Sequence, residues 1–112
     1  MIVRIWTTGV DPSRRDELAD FARTQTLPTL QRHDGLLGIL FAGSGDTWVT
    51  LSAWRDATAV AALESSPDYR ALLERALAAG FLTGQQRTDA YELVGGDVEE
   101  LARALAARTA PG

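Results

Sequence analysis

The sequence predicts an α+β protein of the ferredoxin-like class, a βαββαβ fold whose four-stranded antiparallel sheet carries helices on one face. Stretches with strand and helix periodicity follow each other in the order strand, helix, strand, strand, helix, strand, with one extra helix at the end. A glycine-rich turn joins the second and third strands as a hairpin. With 112 residues in total, we expect one domain over residues 1–96 and a C-terminal helix and tail over 97–112.

The first strand and the first helix occupy the N-terminal third. Over residues 2–8 the side chains alternate between two faces, as Val3, Ile5 and Thr7 against Arg4, Trp6 and Thr8. Asp11 or Ser13 can then cap a helix. Pro28 has no backbone N–H to donate, so we expect it to kink or interrupt that helix.

The central hairpin is formed by two buried strands. Leu36 to Ala42 is apolar, and Gly43 to Asp46 turns the chain back. The next strand has apolar residues on both faces, with Trp48, Thr50, Ser52 and Trp54 on one and Val49, Leu51 and Ala53 on the other. A strand of this kind is typically buried on both sides.

The second half contains a helix in two parts, a last strand and a last helix. Asp56 caps the first part, and Ser66 followed by Pro67 begins the second. The last strand is predicted from Arg87 to Val94. Asp97 then begins a helix whose apolar residues recur at helical spacing, as Val98, Leu101, Ala102, Leu105 and Ala106.

Composition excludes several classes of function. The net charge is −4, and the 11 basic residues are single, scattered arginines, so neither nucleic acid nor an anionic membrane is an expected partner. The element order is shared with RNA-recognition domains, but their basic aromatic motif is missing. There is no cysteine and only one histidine, so we expect neither a disulfide nor a metal. With no leader and no long apolar run, we expect a cytoplasmic protein.

The uncovered face of the predicted sheet is apolar as well. Because every strand carries apolar residues on both sides, the face without helices would expose them to water. Two sheets packed face to face would bury this surface. We therefore expect a homodimer formed through the sheet face.

Several segments resemble one known family, over most of residues 1–95. They are MIVRIW at the start, LPTL before a glycine, SAW followed by RDATA, SSPDYRALLERALAAGFL, and a last strand ending AYELVG. This pattern resembles the antibiotic biosynthesis monooxygenase family. The resemblance implies a dimeric α+β barrel with a pocket between sheet and helices in each subunit. It also implies oxidation of phenolic, polyketide-like aromatics to quinones by O2, with no metal, flavin or other cofactor.

The resemblance and the residue chemistry together select the candidate site residues. Trp54 matches the tryptophan that ends the third strand in the family, and we place it with Tyr69 and Arg70 as catalytic candidates. The expected binding residues for a small planar aromatic ligand are Arg4, Trp6, Thr8, His33 and Tyr91. Structural roles stay open for many of them: tryptophans and tyrosines as core, Arg70 as a partner of Glu74, and His33 at a helix C-terminus.

The chain also departs from the family pattern. Catalytic members use an Asn and a Trp in the pocket, and this sequence contains no Asn. The haem-degrading branch uses a helix Trp and a His, where this chain has Leu63 and Leu73. Haem degradation is therefore not expected. A non-catalytic small-molecule-binding or scaffold dimer of the same fold is the alternative to a monooxygenase.

Overall fold

The computed structural model describes residues 1–109 and contains the predicted ferredoxin-like sheet. Its strands are β1 (Ile2–Val10), β2 (Leu36–Ser44), β3 (Thr47–Trp54) and β4 (Leu82–Glu92). They are hydrogen-bonded in the order β2-β3-β1-β4, and every neighbouring pair is antiparallel. The fold class predicted from the sequence is confirmed. Of the predicted C-terminal tail, residues 110–112 lie outside the described part of the chain.

Within residues 1–109, five α-helices accompany the sheet. They are α1 (Arg15–Phe21), α2 (Leu27–Gln31), α3 (Ala57–Glu64), α4 (Pro67–Ala78) and α5 (Glu99–Thr109). The predicted caps are present, since the Asp56 carboxylate accepts from the Ala59 N–H at 2.9 Å and the Ser66 hydroxyl accepts from the Tyr69 N–H at 3.5 Å. These two caps set where α3 and α4 begin.

The helix before Pro28 is not broken but widened. Residues Ala22–Thr26 form a π-helical turn between α1 and α2, in which the Leu27 N–H donates to the Ala22 carbonyl. A π-turn tolerates a proline because the ring needs extra room near the preceding turn and supplies no N–H. The irregularity in the helix was thus predicted near the right position, but the chain stays helical through the π-turn and on to Gln31.

Strand β4 is longer than predicted. It begins at Leu82 rather than Arg87 and ends at Glu92 rather than Val94. Leu82 pairs with Val10, and an irregularity in the ladder follows near Gly84, whose φ is +65°. A glycine with positive φ is typical of a β-bulge. The bulge interrupts the alternation of inward- and outward-facing side chains, so residues 82–86 do not show a strand pattern in the sequence.

Two buried clusters lie between the sheet and the helices. One surrounds Trp54 and includes Leu30, Leu63, Tyr69 and Leu72. The other surrounds Trp48 and includes Val10, Leu18, Ala76 and Phe81. The tryptophans stand at opposite ends of β3, so the middle of this strand faces the space between the two clusters.

The opposite face of the sheet carries no helix among residues 1–109. The β1–β3 register places Val3, Ile5, Val49 and Leu51 on this face, and all four are partly exposed. Tyr91 pairs with Val3 in the register and is 57% exposed. Val98, directly before α5, and Leu101 within that helix are likewise exposed to solvent.

Candidate functional site

A small cavity lies between the two buried clusters, roofed by the helices and floored by β1 and β3. Its volume is about 30 Å³. The walls are almost entirely apolar, with aromatic rings from four elements, β1, α1, β3 and α4. The lining residues are Arg4, Trp6, Leu18, Phe21, Ala22, Thr26, Leu30, Trp48, Thr50, Tyr69, Leu72, Leu73 and Ala76. A space of this size admits one or two water molecules.

Arg4 is the charged group of the cavity and is only 5% exposed. Its Nη2 donates to the Tyr69 hydroxyl oxygen at 2.9 Å, and its Nε donates to Glu64 Oε2 at 3.3 Å. The guanidinium carbon also lies 5.2 Å from the centre of the Tyr69 ring. Local sequence explains the meeting: β1 alternation turns Arg4 toward the helices, and the Ser66 cap places Tyr69 in the first turn of α4.

The network leaves donors for a ligand. The Tyr69 oxygen accepts from Arg4, so its own O–H is free to donate. A guanidinium has five N–H groups, and within residues 1–109 only those on Nε and Nη2 of Arg4 have protein acceptors. Glu64 is 48% exposed on its side chain, so water screens its negative charge and weakens its neutralisation of Arg4.

Two hydroxyls on β3 anchor the two tryptophans of this face. Trp48 Nε1 donates to Thr50 Oγ1 at 3.2 Å, and Trp54 Nε1 donates to Ser52 Oγ at 2.8 Å. Thr50 lines the cavity, whereas Ser52 and Trp54 lie outside its lining. Thr50 is not among the residues that the sequence singles out, although its place on the Trp48 face of β3 was visible there.

Of the predicted site residues, the structure brings three together in the cavity, namely Arg4, Trp6 and Tyr69. It places Trp54 in the core, fully buried beside the cavity. Thr8 is 1% exposed and accepts a hydrogen bond from Gln86 Nε2 at 3.1 Å, outside the cavity.

The remaining three lie elsewhere. Arg70 is exposed on α4 and, among the described residues, does not form the pair with Glu74 that its spacing allows. Tyr91 is exposed on the opposite face of the sheet. His33 follows α2 and joins α4 instead of the cavity.

His33 and Asp68 connect the end of α2 to the start of α4. His33 Nε2 lies 3.1 Å from Asp68 Oδ1, and Arg32 Nη2 lies 3.6 Å from Asp68 Oδ2. The Ser66 hydroxyl donates to the same carboxylate. This hydroxyl first, and then His33, hold the pKa of Asp68 below its usual range. The cluster fixes two helices that carry cavity walls.

Two further features bear on the kind of protein. Within residues 1–109, no three His, Cys, Asp or Glu side chains come close enough together to hold a metal ion. No helix in this part of the chain has the length and apolarity to cross a membrane.

The fold and the cavity define the class, a ferredoxin-like α+β domain with an aromatic-walled pocket between sheet and helices. Residues 1–75 match the family model described as antibiotic biosynthesis monooxygenase, and the chain belongs to that family. A comparison with curated protein sequences gives no match.

Solved structures share the fold at low sequence identity. The monooxygenase ActVA-Orf6 of Streptomyces coelicolor, solved with the ligand nanaomycin D, is 21% identical, with a TM-score of 0.71 over 86% of this chain and 89% of that one. Rv0793 from Mycobacterium tuberculosis is also 21% identical, with a TM-score of 0.66 over 85% and 96%. A putative antibiotic biosynthesis monooxygenase from Deinococcus radiodurans is 17% identical, with a TM-score of 0.71 over 87% and 96%.

Proposed function

We propose that this protein is a monooxygenase that oxidises a planar phenolic, polyketide-like substrate with O2 and without a metal or organic cofactor. The observation that carries the proposal is the buried Arg4 guanidinium beside the Tyr69 hydroxyl in an aromatic-walled cavity. Membership of the family supports it. So does the fold shared with a monooxygenase solved with the ligand nanaomycin D.

Arg4 would favour the deprotonated substrate. A cation within about 4–6 Å of a phenol typically lowers its pKa by one to three units, and low polarity around the pair strengthens the effect. The resulting phenolate is electron-rich, which is the form that reacts with O2. Trp6 and Trp48 supply flat walls against which an aromatic ring can stack.

The reaction balances without an external reductant. At a ring methylene activated by the phenolate, one atom of O2 becomes the new carbonyl oxygen and the other leaves as water. The methylene carbon supplies the two hydrogens of that water and is oxidised, while O2 is reduced. Tyr69, whose O–H is free, would donate a hydrogen bond to the oxygen that carries the developing charge.

Ligand entry requires the walls to move apart. A drug-sized aromatic needs a pocket of roughly 300 Å³ or more, whereas the cavity measures about 30 Å³. The wall that would have to move in this proposal is the π-turn at Ala22–Thr26, which supplies Ala22 and Thr26 to the lining. π-turns often mark functional positions in helices because their hydrogen bonding is easily rearranged.

The test is oxygen consumption by metal-free protein with anthrone and naphthol substrates. Arg4→Gln, which removes the charge, should reduce oxygen uptake by at least about tenfold. Tyr69→Phe, which removes one donor, should also reduce it, since losing one preorganised donor commonly costs roughly two to three orders of magnitude in rate. Arg75→Gln removes the same charge from an exposed position on α4 and should leave uptake unchanged. Equal effects of Arg4→Gln and Arg75→Gln would contradict a catalytic Arg4.

A non-catalytic binding or scaffold dimer is the second candidate. The absence of Asn from the sequence favours it, because catalytic members of the family use an Asn in the pocket. Tryptophan fluorescence quenching by 1-naphthol without any oxygen uptake would establish this second function. Quenching together with uptake would exclude it.

A homodimer through the sheet face is the proposed assembly. One chain exposes 7094 Å², whereas a compact monomer of 12.1 kDa exposes about 6,000 Å². Part of this excess of about 1,000 Å² comes from residues 93–108, which are almost all exposed, so the apolar open face of the sheet, rather than the total area, indicates the interface. The partly exposed apolar residues of β1 and β3 provide the surface.

Light scattering tests the assembly. We expect about twice the chain mass of 12.1 kDa at micromolar concentration. A single species at the chain mass over the same range would contradict a stable dimer.

A further inference from the structure

Thr50 is a buried hydroxyl whose hydrogen has no acceptor in the protein. The residue is 7% exposed and lines the cavity. Its oxygen accepts from Trp48 Nε1 at 3.2 Å, which uses a lone pair and leaves the O–H free. Among residues 1–109 this hydroxyl donates to no other group.

Ser52 provides the comparison on the same strand face. Its oxygen accepts from Trp54 Nε1 at 2.8 Å, and its O–H donates onward to the Arg4 carbonyl at 3.5 Å. Ser52 is therefore used in both directions and lies outside the cavity lining. Thr50 has the same indole contact without the onward bond, so its O–H is available to donate to a ligand in the cavity.

The sheet register places this free donor near Arg4. Arg4 pairs with Ser52 and Trp6 pairs with Thr50, so Arg4 and Thr50 are diagonal neighbours on one face of β1 and β3. Diagonal neighbours have Cα atoms about 7–8 Å apart, and their side chains can meet one small molecule. Trp6 stands beside both and offers its ring as a platform.

We propose that Thr50 is a substrate-positioning residue, which donates a hydrogen bond to a second oxygen of the ligand while Arg4 holds the first. The proposal rests on the proposed function and narrows its substrate class to phenols with another oxygen on the adjoining ring. The Trp48 indole fixes the rotation of the Thr50 hydroxyl, so the donor is oriented before the ligand arrives. A ligand with one oxygen leaves Thr50 unused.

Binding of two related probes tests Thr50. Under anaerobic conditions, 1,8-dihydroxynaphthalene and 1-naphthol are titrated against the protein by tryptophan fluorescence. Thr50→Val removes the hydroxyl at nearly constant volume, and it should weaken the dihydroxy compound roughly three- to tenfold, the usual value of one hydrogen bond. It should leave 1-naphthol within about twofold, and Thr50→Ser should restore the affinity for the dihydroxy compound.

A merely structural Thr50 would not distinguish the probes. If Thr50→Val weakens the binding of both probes equally, or weakens the binding of neither, Thr50 does not position the substrate. The proposed function is not affected by either result. Failure of the wild-type protein to bind either probe overturns both. If Thr50→Val does not fold, the double variant Trp48→Phe/Thr50→Val is compared with the single variant Trp48→Phe. Neither of these two proteins has a Trp48 indole N–H that has lost its Thr50 acceptor.

Discussion

Removing the Arg4 guanidinium and the Tyr69 hydroxyl, singly and together, measures the hydrogen bond that defines the cavity. Arg4→Met deletes the charge, and Tyr69→Phe deletes the hydroxyl but keeps the ring under the guanidinium. Arg4→Met also removes the contact of the guanidinium with the ring of residue 69 and its pair with Glu64. It removes both in the wild-type and in the Tyr69→Phe background, so these contributions cancel in the coupling energy. The coupling energy then reports one charge-assisted bond of 2.9 Å between groups 5% and 6% exposed.

The expected coupling is about 2 kcal/mol, because hydrogen bonds to charged groups contribute roughly 1.5–3 kcal/mol. Urea unfolding followed by circular dichroism gives the four free energies. All four proteins are compared at one concentration, since association adds to apparent stability. If the single effects add to within about 0.5 kcal/mol, Arg4 and Tyr69 do not act as a unit, and the paired donor site described for the cavity is refuted.

Three further changes test other parts of the structure. Leu51→Asp puts a charge on the open sheet face and should halve the mass seen by light scattering; an unchanged mass would move the interface elsewhere. The Ser66 hydroxyl lowers the pKa of Asp68 below its ordinary value of 3.8. The ionised carboxylate therefore stabilises the fold above pH 3.8, and this stabilisation is lost as the pH falls through the lowered pKa. Between about pH 5 and pH 2, the Tm of Asp68→Asn should fall less than the Tm of the wild-type protein. Trp54→Phe should destabilise the fold by about 1–3 kcal/mol, because it loses packing and the hydrogen bond to Ser52. The affinity for 1-naphthol should be unchanged. Binding weakened by more than about threefold would place Trp54 in the site.

The elements that local chemistry controls were predictable from the sequence. The caps at Asp56 and Ser66 depend on side chains adjacent to the backbone groups that they serve. The hairpin turn was predicted over Gly43 to Asp46, whereas β2 continues to Ser44 and only Gly45 and Asp46 form the turn. The start of β4 was not predictable, because Gly84 breaks the alternation and pairing with Val10 overrides it. The start of β4 is therefore set by its pairing with β1 rather than by the local sequence pattern.

The site was predictable by residue type and not by arrangement. Arg4 and Tyr69 stood out as an anion holder and an aromatic, but their contact joins positions 65 residues apart. Thr50 looked like an ordinary strand residue, and only the cavity shows that its O–H is free. His33 stood out because it is the sole histidine, whereas its partner Asp68 comes from another helix.

The closed cavity has a consequence for every affinity measured on this protein. A ligand that fits only an opened form binds with an apparent Kd equal to the intrinsic Kd divided by the open fraction. An open population of about 1% would weaken binding a hundredfold without altering any contact. Shortening Leu73, which lines the cavity from α4, should therefore tighten binding of a bulky phenol by raising that population, even though it removes a contact.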